Sequence, residues 1–75
     1  MMQEEIKYLQ KVLTEQRIKS GLSQYKLGNW LGLRSNTGYK RIEANGNVNL
    51  ETLLKLSKAL DLDIEIKKGK LFVFD

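Results

Sequence analysis

Ile6, Leu9, Val12 and Leu13 recur three and four residues apart. That spacing lines one face of a helix, predicted over residues 3–19. Glu4 and Glu5 complement the dipole at its start, and Ser20 and Gly21 end it. Ser23 is suited to cap a short second helix over about 24–31, where Leu27 and Leu31 lie four apart, and Gly32 stops it. A third helix is expected over about 36–44, capped by Ser35, with Tyr39 and Ile42 turned inward. Asn45-Gly46 is a stop and turn signal. Asn49 caps a fourth helix over about 50–60, in which Leu50, Leu53, Leu54, Leu56, Ala59 and Leu60 form a broad apolar stripe.

The period then shortens to two. Leu62, Ile64 and Ile66 alternate with Asp63, Glu65 and Lys67, which predicts a strand over about 62–67. Lys68-Gly69 turns the chain into a second strand, about 70–74, through Leu71, Phe72, Val73 and Phe74. A two-residue turn sets Ile66 opposite Leu71 and Ile64 opposite Val73 on one face. Phe72 and Phe74 then share the other face with Glu65 and Asp63. A lone hairpin is marginal in water, and its two faces cannot both pack on one four-helix body. Either Phe72 and Phe74 stay exposed or a second chain covers them. The expectation is a second copy, with hairpins meeting across a two-fold axis through Phe72, Phe74, Ile64 and Ile66.

Composition narrows the possible chemistry. Seventy-five residues hold one small core, and 41% apolar with 29% charged residues fits a folded globule. There is no Cys and no His, so disulfides, thiolate or imidazole metal sites and Ser–His–Asp triads are excluded within the chain. No acid–base constellation stands out, and neither an enzyme nor a cofactor is expected. No apolar run is long enough to span a bilayer. The opening Met-Met-Gln-Glu-Glu lacks the apolar stretch of a signal peptide, so a cytoplasmic protein with no membrane partner is expected. A core this small, without staples or metal, also favours a partner subunit.

Charge is segregated. The stretch from Arg17 to Ile42 contains Arg17, Lys19, Lys26, Arg34, Lys40 and Arg41 and no acid. The rest of the chain carries seven basic and nine acidic residues. A basic middle between near-neutral ends is the electrostatic footprint of phosphate contact, against which stands a merely solvated lysine-rich surface.

The segment from Leu22 to Leu60 resembles the Cro/CI-type (Xre-type) helix-turn-helix family. The resemblance is carried by Ser23-Gln24-Tyr25-Lys26-Leu27-Gly28, by Leu31-Gly32-Leu33, by Arg41-Ile42-Glu43 and by the run Leu50 to Leu60. Gly28 stands where the family prefers Ala, and a small residue there lets the second and third helices cross closely. Gly32 permits the sharp turn, and Leu33 plugs the core between the two helices. Arg17 and Glu43 resemble the family's ion pair tying the first helix to the end of the third, a structural role. Two features depart from the pattern. Tyr39, Ile42 and Glu43 lie one residue late, read as a longer turn at 33–35 offset by a shorter loop at 44–48. In the ungapped register Gly38 and Arg41 would point into the core, which is physically poor. The family's loop proline is missing, with Val48 near its place.

The resemblance implies a mostly α fold, with a four-helix helix-turn-helix DNA-binding domain over residues 1–61; the C-terminal β-hairpin over 62–75, read from the two-residue period, is the expected dimerisation element. About an inward Tyr39, the third helix turns Thr37 and Arg41 outward, with Lys40 and Ala44 nearby. Lys40 and Arg41 suit guanine O6 and N7, and Asn36 suits adenine N6 and N7. Gly38 either brings the helix closer to the bases or is simply tolerated. Phosphate contacts are expected from Gln24, Tyr25 and Lys26 at the start of the second helix, from Arg34, and from Asn47 in the following loop. For Asn45 and Asn47 the competing reading is turn chemistry. Trp30 is expected to pack partly against the first helix, with a partner or DNA contact as the sharper alternative.

The implied function is a sequence-specific repressor that binds double-stranded DNA as a homodimer on a palindromic operator, its recognition helices roughly 34 Å apart. A body of this type with a short C-terminal strand is similar to autoregulating antitoxins, which have a toxin protein as a further partner, and to phage or mobile-element regulators. The competing class is a protein-binding module that occludes a partner through Phe72, Phe74 and Trp30 and barely binds DNA.

Overall fold

A computed structural model describes residues 2–33 and 36–74. The elements run α1 (Met2–Lys19), α2 (Gln24–Trp30), α3 (Asn36–Asn45), α4 (Leu50–Ala59), β1 (Asp63–Lys67) and β2 (Lys70–Phe74). Each observed boundary falls within about a residue of the periodicity reading.

The helix ends follow from local chemistry. Ser23 Oγ accepts the Lys26 amide at 3.0 Å and Asn49 Oδ1 accepts the Thr52 amide at 2.8 Å, so both N-caps form as their residue types predict. Ser35, the expected cap of α3, lies outside the described residues. Helix α2 ends at Gly32, whose φ of 80° only glycine adopts without strain, and the Leu33 amide then returns to the Gly28 carbonyl at 3.0 Å. Asp61 takes φ 54° after α4, and the Leu62 amide closes back on the Ser57 carbonyl at 2.8 Å. Asp tolerates this left-handed position better than most residues.

Leu9 and Leu13 of α1, Leu27 and Leu31 of α2 with its C-cap, Tyr39 and Ile42 of α3, and Leu56, Leu60 and Leu62 form the buried core. The hairpin shares that core, because Ile64, Leu71 and Val73 pack against it. Its register pairs Ile66 with Leu71, Ile64 with Val73 and Glu65 with Phe72. The turn has Lys68 at φ 50° and Gly69 at φ 79°, the doubly left-handed geometry that matches strand twist.

The fourth helix corrects one expectation. Leu56 and Leu60 are buried and Leu53 is packed on the core, but Leu50 and Leu54 are 69% and 56% exposed. At 100° per residue, Leu50 and Leu54 sit roughly 100–140° around the helix from the Leu56–Leu60 direction. The apolar arc is wider than one neighbouring surface can cover. The two leucines instead line a groove with Leu53, Ile64 and Ile66.

Candidate nucleic-acid interface

The arrangement of α2 and α3 begins at a glycine. A Cβ on Gly28 would lie 3.3 Å from Tyr39 Cβ, so the small residue allows the close crossing of the two helices. Tyr39 is fully buried at this crossing and Ile42 is 4% exposed. That turns Tyr39 and Ile42 of α3 inward and leaves Lys40, Arg41 and Ala44 exposed on its far side.

Polar contacts then fix the end of α3. Arg17 Nε donates to Glu43 Oε2 at 2.6 Å, and a second guanidinium nitrogen reaches Oε1 at 3.4 Å. A third donation, 2.9 Å to the Leu22 carbonyl, holds the loop between α1 and α2. Gln24 Nε2 donates to Glu43 Oε1 at 3.0 Å, which ties the start of α2 to α3. The Arg17 and Glu43 side chains are 14% and 8% exposed, a nearly dry ion pair. Burial by itself would raise the Glu43 carboxyl, but contacts with Arg17, and then with Tyr39, Gln24 and Thr14, outweigh it and hold the group below its ordinary 4.5. The hydrogen bond to Glu43 raises Arg17 further, against the effect of its own burial. Burial first, and the neighbouring carboxylate next, push the Tyr39 hydroxyl far above the usual tyrosine range. That hydroxyl lies beside the pair without reaching hydrogen-bond geometry.

Two members of this lock escaped the sequence reading. Gln10 Nε2 donates to the Glu43 carbonyl at 2.9 Å, and Thr14 bears on the carboxylate. Both lie on the α1 face that carries Arg17, at spacings of seven and three residues, which is the signal that could have found them. Gly46 completes the α1–α3 contact. It takes φ 71°, and a Cβ there would collide with Ile6 Cγ2.

Other expected residues sort as follows. Tyr25 is 62% exposed and Lys26 is exposed beside it at the start of α2. Asn36 and Thr37 open α3, but their side chains lie outside the described residues, as does Arg34 altogether. Asn45 Oδ1 accepts the Asn47 amide at 2.8 Å, which is turn chemistry, while Asn47 itself is exposed. Gly38 does not face outward to thin the presented surface. Its missing Cβ would lie 3.1 Å from Leu33 Cβ, so the glycine makes room for the plug between α2 and α3. Trp30, expected to pack partly against the first helix or to meet a partner or DNA, is 58% exposed and lines a groove between α2 and the end of α4. On the hairpin, Ile64 is half-buried against the core, whereas Ile66, Phe72 and Phe74 are 67%, 39% and 50% exposed. No helix among the described residues is long and apolar enough to cross a membrane, and no cluster there has the donors of a metal site.

The family profile described as helix-turn-helix matches residues 13–67, from the middle of α1 to the end of β1. Among the curated proteins and the solved structures compared with the chain, none matches.

Proposed function

Because the chain belongs to the Cro/CI-type helix-turn-helix family and is a DNA-binding regulator of that type, we propose that it acts as a transcriptional repressor. The reading is a homodimer on a palindromic double-stranded operator, regulating its own synthesis as the antitoxin of a toxin–antitoxin pair or as a phage or mobile-element regulator. The observation that carries it is the outward face of α3. Lys40 and Arg41 project from a helix whose opposite side is locked by Tyr39, Ile42 and the Arg17–Glu43–Gln24 contacts. A locked helix presents its cations at fixed positions, which base-edge readout needs.

In this reading Asn36, Thr37, Lys40 and Arg41 meet base edges, and Gln24, Tyr25, Lys26, Arg34 and Asn47 meet phosphates. Gln24 has one amide hydrogen committed to Glu43, and its second N–H remains for a phosphate oxygen. The exposed Phe72, Phe74 and Ile66 support a dimer through the hairpin. The family is a DNA-binding one, and the reading assigns no catalysis and no cofactor. A cytoplasmic location follows from access to DNA.

The exposed Phe72, Phe74 and Trp30 also favour a second reading, in which the same fold occludes a partner protein and binds DNA weakly. Selection from a random duplex library at near-physiological salt separates the two. An enriched palindrome with half-sites about one helical turn apart supports the dimeric repressor. Weak binding without enrichment, lost steeply with salt, leaves the partner-binding reading.

A further inference from the structure

Between α2 and the C-terminal turn of α4 runs an open groove of about 480 Å³. Its floor is Leu22, Leu27 and Ala59, and its walls are Trp30, Lys26 and Lys58. Trp30 leaves 58% of its surface in water beside this apolar floor, which is costly for a side chain of its size unless something covers it. No acidic residue lines the groove. Lys11, Lys55 and Lys67 each pair with a glutamate of the chain, but Lys26 and Lys58 form no ion pair among the described residues. An apolar trough walled by one indole and two uncompensated ammonium groups is complementary to an apolar side chain flanked by carboxylates.

We propose that this groove docks an acidic peptide segment of a partner protein, with one aliphatic or aromatic residue inserted against Trp30 and its flanking carboxylates on Lys26 and Lys58. The anchor displaces water from Trp30 and the floor, while the two lysines set the register. The occupant also opposes DNA. Lys26 belongs to the phosphate-contacting set proposed above, so the segment and the operator compete for one cation; this second consequence rests on that reading. Docking then becomes a release mechanism, in which an acidic partner loosens the regulator from its site.

Trp30 is the sole tryptophan of the chain, so its emission reports on the groove directly. The full chain is titrated with synthetic hexapeptides in which one leucine or phenylalanine is flanked by glutamates. Expected are a saturable change in emission, no change with lysine-flanked peptides, and an affinity about fivefold weaker in Lys58→Glu. Lys58→Gln, a milder change at the same exposed position, loses part of the affinity and serves if the charge reversal disturbs folding. No saturable change up to millimolar peptide, or an affinity unchanged from the unaltered chain in both Lys58 variants, overturns the proposal. So does saturation by octanoate without any by peptide, which would make the site one for small amphiphilic anions. The competition is read separately, as operator affinity with and without bound peptide, and unchanged affinity overturns that part alone. Failure of the duplex selection would remove the operator reading and leave the emission titration standing.

Discussion

Helix α3 and the hairpin each turn one face to the core and one away, yet they are held there by different means. The inner face of α3 is tied by directional contacts: an ion pair nearly out of water, Gln24 and Gln10 on the same glutamate, and Tyr39 wedged against Gly28. The hairpin is held by aliphatic burial of Ile64, Leu71 and Val73, and its polar partners are its own strands. The outer faces differ in kind as well, cationic on α3 and aromatic on the sheet. Directional contacts fix an orientation, which a helix presenting hydrogen-bond donors needs. Apolar burial is non-directional and suffices for a surface that only has to be covered.

The comparison breaks most easily at Glu43. Glu43→Ala leaves the Arg17 guanidinium nearly buried without its carboxylate and is expected to cost about 3–5 kcal/mol, read by urea denaturation. A loss under about 1 kcal/mol would mean that the orientation of α3 does not depend on the pair. The same group imposes a pH dependence. Its carboxyl is lowered in the folded chain, so its contribution is present above the ordinary value near 4.5 and disappears as pH falls through the folded value below it. Glu43→Gln is expected to lack that acid step.

The hairpin side is tested by Phe72→Glu. The phenylalanine is on the outer face, so the monomer should remain folded while dissociation of the proposed dimer rises about a hundredfold, worth about 2.7 kcal/mol, by analytical ultracentrifugation. An unchanged dimer mass would remove the sheet face from the interface.

Within the cationic face, Arg41→Ala is expected to lose about 1–3 kcal/mol of discrimination at one base position. Lys26→Ala should weaken all sequences alike and flatten the salt dependence. Identical behaviour of the two would mean that Arg41 reads no base. The smallest effect is expected at Tyr39→Phe. The buried hydroxyl lacks a hydrogen-bond partner, so its removal should leave thermal stability unchanged or raise it by up to about 1 kcal/mol. A clear loss would show that its effect on the Glu43 carboxylate outweighs the cost of burying the hydroxyl.

Much of this was legible from local pattern. Caps at Ser23 and Asn49, the stop at Gly32 and the hairpin register each depend on residues within a few positions of one another, so short-range stereochemistry decides them. The Arg17–Glu43 pair was legible only through the family resemblance, since nothing local joins positions 26 residues apart. The placement of Gly38 was not legible. Whether a helical glycine thins an outer surface or makes room for Leu33 depends on where the preceding turn deposits that leucine. The surroundings of Trp30 are open for a related reason. A large amphipathic side chain at a helix end has several neighbours within reach, and the angle between α2 and α4 selects among them. The width of the α4 stripe did carry a signal, because six apolar positions exceed what one core face accepts.

The sequence by itself determined the order and limits of the elements, the inward Leu9 and Leu13 of α1 and the inward residues of α2 and α3, and the concentration of positive charge over α2 and α3. Helical and strand periods, caps and turn glycines act over a few residues and leave little choice. Tertiary structure alone decided which leucines of α4 stay exposed, how Gln10 and Thr14 join the Glu43 lock, and that Trp30 faces a groove with two lysines. Those outcomes depend on the angles at which helices cross, and the angles are set by packing of the whole core at once.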